Sequence, residues 1–441
     1  MNVGRRVPGA TTLAAGALLL VACGGAHKPT ELPPAATTTT TAPVSNGYAL
    51  AYTDGAAGRA DPSKSPVVIG YVNEEGATPA FPEATQGIDA AVAYVNAELG
   101  GIQGHPLQLD KCAVQVEADG QRCGADLLNN AKVQLIITGA LVVGNRSLYG
   151  VIAGKKPILV SNPLANEDYV SDGVTAFTPG VPGVVQGLAV FVAKHLQAVK
   201  SVAVVYGDDA AAKLAAEQLF EPLITKLGVI DVTPVQVSDT ANAAGVQSAI
   251  QRAGAGKADV LVPLVDIQLC VATYDAVQAL GLKATVVTSA LCEGTPMTSH
   301  LQDVGSKDVV PDGWYFGGYG YNYFIPDDAS GMTTYLAKVH QYGPAGIEYT
   351  GFAGPVFANL LTAAKFYNQI GPDTVNTANL SQAIKSFKGP MMLVAGSMNC
   401  GSQPLFKSLC GTTIGVEQYK AGTWSPIADA LNNQAIDASR P

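Results

Sequence analysis

From residue 66 onward the chain alternates two kinds of hydrophobic pattern. Short runs rich in β-branched residues and bounded by turn formers read as buried strands: VVIGYV (67–72), VQLIITGA (133–140), PILVS (157–161), SVAVVYG (201–207), DVLVPLV (259–265) and ATVVTSA (284–290), with PLQLD (106–110) a weaker one. Between them apolar residues recur every three or four positions. In ATQGIDAAVAYVNAELGGI the residues Ile88, Ala91, Val92, Val95 and Leu99 line one face of a helix that Gly100-Gly101 closes. GADLLNNA, NRSLYGVIAG, GVPGVVQGLAVFVAKHL, AAAKLAAEQLFEPLITKLG, VQSAIQRAG and CVATYDAVQALGL continue the helical series. Strands alternating with helices predict right-handed βαβ units and a mostly parallel sheet. The cycle restarts near residue 180 with no polar linker, so two similar lobes are expected. A late helix, YTGFAGPVFANLLTAAKFYNQIG, returns without a strand run of comparable quality and is assigned to the first lobe, reached by a chain that crosses back.

The first 65 residues follow neither pattern. Arg5 and Arg6 precede about a dozen largely apolar residues ending in Leu20-Val21-Ala22-Cys23. That run is too short for the ~20 residues a membrane-spanning helix needs, and its basic, apolar and small-residue zones are those of a secretory signal. The tetrapeptide resembles the bacterial lipobox, which implies cleavage after residue 22 and acylation of Cys23. The arginine pair is a poor match to twin-arginine export, so the general secretory route is expected. Residues 23–65, with PPAATTTTTAPVS at their centre, lack the apolar content to order themselves and read as a tether.

Composition narrows the function. With 48% hydrophobic and 14% charged residues the body can bury large cores, and a net charge of -9 without a Lys/Arg cluster disfavours nucleic acid. Six cysteines besides Cys23 fall into sequence-near pairs, Cys112/Cys123, Cys270/Cys292 and Cys400/Cys410. Their connectivity is open in principle; an exported chain keeps disulfides, and the local pairing is expected. No histidine stands at ligand spacing from a cysteine pair, so neither a metal nor another cofactor is expected. GxSxG, HExxH and GxxxxGK[ST] are all missing, which argues for a binder and against an enzyme.

The order of elements resembles the type I periplasmic binding proteins, specifically the branched-chain amino-acid receptors of ABC importers. VVIGYVNEEGATPAFPEATQGIDAAVAYVNAELGGIQGHPLQL, VQLIITGALVVGNRSLYGVIAGKKPILVSNP, SVAVVYGDDAAAKLAAEQL and DVLVPLVDIQLCVATYDAVQALGLKATVVTSALCEGT carry the resemblance. It implies a two-lobed α/β fold, each lobe a mostly parallel sheet flanked by helices, with hinge crossings between them. Lobe 1 is expected over 66–186 and 317–392, and lobe 2 over 187–316 and 393–430. The implied protein is a monomeric, lipid-anchored receptor on the outer face of the cytoplasmic membrane. It captures a small amino-acid-like or other polar or aromatic solute by lobe closure and delivers it to a membrane permease. A ligand-sensing or scaffold lipoprotein with the same fold is the alternative.

Ligands of open α/β sheets sit at the carboxyl ends of strands, which selects the candidates. The first loop presents Glu74. The loop after VQLIITGA offers Gly144 for close backbone approach and Asn145 as a helix cap. In the family that loop offers small hydroxyls to a ligand carboxylate; here it reads Gly144-Asn145-Arg146 with Ser147 further in, which loosens the expectation of an ordinary amino acid. Ser161 and Asn162 follow PILVS, Tyr206 ends SVAVVYG, and Asp266 follows DVLVPLV. Glu293 aligns with the family carboxylate that pairs with a ligand ammonium, although Cys292 beside it could divert the loop into a disulfide turn. DGWYFGGYGYNYFIP (312–326) is an aromatic crossing between lobes, from which Tyr319 and Tyr321 are expected to line the cleft.

Overall fold

The structure is a computed structural model that describes residues 45–76, 79–320, 322–403 and 405–426. The expected signal peptide and the expected acylation site at Cys23 therefore lie outside the described residues, as does Tyr321. Among the described residues no helix is long and apolar enough to cross a membrane.

Lobe 1 opens with α1 (Gly47–Thr53), β1 (Val67–Glu74), α2 (Pro82–Glu98), β2 (Leu107–Val114), α3 (Glu117–Asn129), β3 (Val133–Ala140), α4 (Asn145–Ile152), β4 (Ile158–Asn162), α5 (Asn166–Val170) and β5 (Val174–Thr175). Its sheet has the order β2-β1-β3-β4-β5, all parallel. Lobe 2 starts with α6 (Gly180–Lys194) and β6 (Ser201–Tyr206). Then α7 (Ala210–Lys213) runs through a π-helical stretch (Leu214–Phe220) into α8 (Glu221–Lys226). β7 (Asp231–Gln236), α9 (Ala243–Arg252), β8 (Val260–Leu264), α10 (Ile267–Leu280), β9 (Thr285–Ser289), a 3-10 turn (Ala290–Glu293), α11 (Thr295–Asp303) and β10 (Tyr315–Gly318) follow. The chain returns to lobe 1 for α12 (Met332–Tyr342), α13 (Ala353–Ile370) and α14 (Thr377–Ser386), and ends in lobe 2 with the hairpin β11 (Gly415–Lys420) and β12 (Thr423–Pro426). The second sheet has the order β12-β11-β10-β9-β8-β6-β7, parallel except for the hairpin, which adds antiparallel to β10.

Each sheet is buried on both faces, as parallel sheets covered by helices must be. The largest core cluster joins Ile69, Tyr71, Ile137 and Leu159 of the first sheet to Ile88 and Tyr94 of α2 and Phe357, Leu361 and Phe366 of α13. The late helix thus belongs to lobe 1, as its return predicts.

Two boundaries differ from the sequence expectation. Residues 45–65 are no tether. Tyr52 Oη lies 2.7 Å from Thr362 Oγ1 of α13, Lys365 donates to the Tyr52 carbonyl at 2.9 Å, and the Gly58 and Ala60 amides bond the carbonyls of Glu98 and Asn96. Gly47, Tyr48, Leu50 and Tyr52 form a short helix whose apolar side completes the lobe 1 core, a signal too brief to stand out beside the Thr/Pro/Ala stretch. The boundary at 186/187 falls inside α6, whose Val184, Leu188 and Phe191 pack in the lobe 2 core. Likewise Leu393, Val394, Met398 and Cys410 pack in the lobe 1 core, so lobe 2 resumes only around Ile414.

Three crossings join the lobes, near residues 176–179, 319–331 and 411–414, and they lie side by side. Cys410 N donates to Ala176 O and Gly411 N to Thr178 O, while Ala395 N donates to Tyr319 O. A Cβ on Gly411 would come within 2.5 Å of Pro179 N, so the close pass of two crossings requires glycine there. The three disulfides follow the local pairing, Cys112–Cys123, Cys270–Cys292 and Cys400–Cys410.

Candidate functional site

At the carboxyl end of the lobe 1 sheet, side chains from β1 reach across to cap β3 and the start of α4. Asn73 Oδ1 accepts from Ala140 N at 2.9 Å, and Glu74 Oε2 accepts from Val142 N at 2.7 Å and Val143 N at 3.3 Å. Glu117, from the first turn of α3, takes Gly144 N at 2.7 Å and Ser147 N at 2.9 Å. Burial acts to raise the Glu117 pKa, but these bonds and the nearby Arg146 outweigh it and hold the carboxylate low. Glu74 has fewer such donors, and burial raises its pKa.

Several of the expected ligand residues are engaged within the protein. Glu74 and Gly144 belong to this capping network. Asn145 donates to Asp168 at 2.8 Å in the interior, and Arg146 turns outward to Glu167 at 2.8 Å. Asp168 is buried against Tyr149 Oη at 2.5 Å, and that burial pushes its pKa up to about 6. In lobe 2, Tyr206 Oη donates to Glu217 of the π-helical stretch at 2.5 Å, and Asp266 caps α10 by accepting from Gln268 N and Leu269 N at 3.0 Å each. A strand-end position marks a residue as near the crevice; it does not say whether a long-range backbone donor has claimed its polar atom.

Other candidates keep free capacity. Asn162 donates to the carbonyls of Gly139 and Phe352, but its Oδ1 is buried without a partner. Ser161 Oγ accepts from Asn359 of α13 at 3.0 Å, and Asn359 Oδ1 is likewise unpartnered. Phe81 and Phe352 meet edge to face at 5.0 Å beside them.

In lobe 2 the 3-10 turn after β9, tied to α10 by Cys270–Cys292, delivers Glu293 inward. It is 7% exposed, and among the described residues nothing donates a hydrogen bond to its carboxylate. Burial, with the nearby Glu417 carboxylate adding, raises its pKa well above the usual range. Glu417 sits on β11 directly across from Phe316, with its own pKa raised by burial and its Oε2 unpartnered. Asn322 Nδ2 and Ser289 Oγ are unpartnered as well. The aromatic crossing divides between the lobes: Phe324 stacks on Trp424 at 5.7 Å in lobe 2, and Tyr323 packs on Tyr335 at 5.8 Å in lobe 1. Tyr319 lies at the join, where burial pushes its pKa up to about 12. Sequence reasoning singled out Glu293 and Tyr319 here but missed Glu417, Asn322 and Ser289. Asn322 lay inside the aromatic stretch and could have been flagged; Glu417 stands in a short polar strand that carries no signal.

The candidate site comprises underbonded polar groups in both lobes, which three strands of chain join. No nucleophile–base pair is among them. A family model described as periplasmic binding protein matches residues 67–401. Among solved structures, the chain is similar to a solute-binding protein of an ABC transporter from R. palustris in complex with 4-hydroxybenzoate (15% identity, covering 84% of this chain and 96% of that one, TM-score 0.64). It is also similar to a branched-chain amino acid transporter substrate-binding protein from Streptococcus pneumoniae in complex with isoleucine (15%, 82% and 99%, 0.62). A third is a leucine-binding protein from Thermotoga maritima (16%, 83% and 99%, 0.60). Among curated proteins none matches the sequence significantly.

Proposed function

The chain belongs to the periplasmic binding protein family, and from that premise we propose that it is the extracytoplasmic solute receptor of an ABC importer, held at the membrane by an acylated Cys23. Members of this family bind ligands and do not transform them. The observation that carries the receptor reading is the polar atoms left without a partner in both lobes, those of Asn162 and Asn359 in lobe 1 and of Ser289 and Glu417 in lobe 2, together with the buried Glu293 carboxylate. A buried polar atom without a partner costs about 1–3 kcal/mol, and a solute bound between the lobes would relieve that cost on both sides at once. Differential affinity for the closed arrangement would then draw the lobes together about the three crossings. The permease and its ATPase, on other chains, would supply the work of transport.

The test combines thermal unfolding with small-angle scattering across a solute panel of amino acids, amines, amides, aromatic acids and sugars. A true ligand at a hundredfold excess over its Kd stabilises by about 2.7 kcal/mol and reduces the radius of gyration. Stabilisation without compaction would exclude lobe closure; no response to any solute class would count against the receptor reading. The acyl anchor is tested separately, by a Cys23→Ser substitution that should release the protein from the membrane fraction.

A further inference from the structure

A cavity of about 350 Å³ lies in lobe 1 between α1, α13 and the chain that follows α14, and none of the residues considered for the cleft lines it. That volume falls within the roughly 300–1,000 Å³ of small-molecule sites. Its walls are largely apolar. Tyr48 and Tyr52, one turn apart on α1, hold their rings side by side at 5.8 Å with planes 8° apart. Phe387, Met391 and Val394 supply much of the remaining wall. Aromatic and thioether surfaces of this kind receive a flat apolar body without asking for hydrogen bonds.

Most polar groups of the wall are already engaged. Tyr48 Oη donates to the Ser330 carbonyl at 3.2 Å, Ser330 Oγ donates to the Asp327 carbonyl at 3.3 Å, and Tyr52 Oη lies 2.7 Å from Thr362 Oγ1. Burial pushes the Tyr52 pKa up to about 12, so it adds no charge. Lys365 is the exception. An ammonium carries three donors, and this one makes a single hydrogen bond, to the Tyr52 carbonyl at 2.9 Å. Its ion partner Asp54 stands 3.7 Å away, beyond hydrogen-bond distance, is half-exposed, and already accepts from Gln369 at 2.7 Å. The Lys365 ammonium also lies 5.4 Å from the centre of the Tyr52 ring. A neutral solute would leave its spare donors idle, and a cation would meet like charge. A carboxylate would gain charge-assisted bonds, roughly twice as strong as neutral ones.

We propose that this cavity is a second binding site, for a small aromatic carboxylate with its ring against Tyr48 and Tyr52 and its acid group on Lys365. The site is independent of what the cleft binds. Leu393 N donates to the Ser330 carbonyl and Ala395 N to that of Tyr319, so an occupant would sit beside chain that joins the lobes.

Crystals of the purified protein soaked with 4-iodobenzoate or 4-iodophenylacetate would locate the ligand by anomalous iodine scattering. Calorimetry with the same acids and with 4-iodobenzyl alcohol would measure it. At least one acid should place iodine in this cavity and bind there tenfold or more tightly than the alcohol. Its Kd should weaken tenfold or more in Ala51→Trp and in Ala329→Trp, both exposed positions lining the cavity, and in Lys365→Met, but by no more than threefold in Lys365→Arg. Iodine found only in the cleft would overturn the inference while supporting the receptor reading, and no iodine at either place would overturn it too. Equal affinity for acid and alcohol, or acid binding that both tryptophan variants keep within twofold, would also sink it. A peak without a calorimetric signal would mean binding at crystal concentration only, which counts against the site as well.

Discussion

Lobe 1 satisfies its charged groups near the sheet with hydrogen bonds, whereas in lobe 2, among the described residues, the Glu293 carboxylate and Glu417 Oε2 have no donor. In lobe 1, Lys338 donates to Glu98 at 2.6 Å, Lys156 to the carbonyls of Leu127 and Asn130, and Glu74 and Glu117 cap the loop before α4. In lobe 2, Glu293 is buried and Glu417 half-buried, and among the described residues neither is ion-paired with a lysine or arginine. Carboxylates near the sheet ends are therefore saturated in one lobe and keep free acceptor capacity in the other. Burial alone does not separate the two roles; hydrogen-bond saturation does.

The contrast can be broken from either side. The largest expected effect is Lys338→Met, which removes the counter-charge of Glu98 and leaves it the Gln341 and Tyr342 donors, and should cost about 3 kcal/mol in denaturant unfolding at pH 7. Burial opposes ionisation of Glu98, but bonds from Lys338 and Tyr342 outweigh it and bring its pKa to about 2. Because that lies below the ordinary 4.5, the stabilisation is present above that pH and lost as pH falls toward 2, so the mutant and parent stabilities should converge in acid. Next come the disulfides. Replacing Cys270 and Cys292, or Cys112 and Cys123, by alanine should each cost about 3 kcal/mol. Only the first pair should also weaken solute binding, since only it fixes the turn that carries Glu293; equal loss of binding in both would erase the contrast.

Glu74→Ala should cost about 2 kcal/mol, because it leaves the Val142 and Val143 amides without their acceptor. The smallest effect has the opposite sign. Glu293→Gln should leave the ligand-free protein as stable or more stable by about 1 kcal/mol near neutral pH. Burial, with the nearby Glu417 carboxylate adding, raises the folded pKa of Glu293. Stability should therefore decline as pH rises above the ordinary carboxyl value, and the Gln variant should flatten that decline. Melting temperatures from pH 4 to 8 would check it.

The sheets were legible where burial on both faces writes an uninterrupted apolar run. VVIGYV, VQLIITGA, PILVS, SVAVVYG, DVLVPLV and ATVVTSA all lie on β1, β3, β4, β6, β8 and β9. The edge elements were not. β7 (DVTPVQ) and the hairpin GVEQYK/TWSP are half-exposed and carry no such run. The site was half legible for a related reason. Glu293 announces itself at a strand end, but Glu117 acts on Gly144 from 27 residues away and Glu417 is brought opposite Phe316 by sheet pairing, links that no local pattern encodes.

The docking of α1 has a mechanical consequence. Residue 45 enters the described body on lobe 1, and the helix that follows is fastened to α13 and, through Tyr48 Oη at 3.2 Å, to the Ser330 carbonyl where the second crossing ends. A pull on the chain at that point loads lobe 1 and bypasses lobe 2. A load applied there reaches the β6–β12 half only through the three crossings.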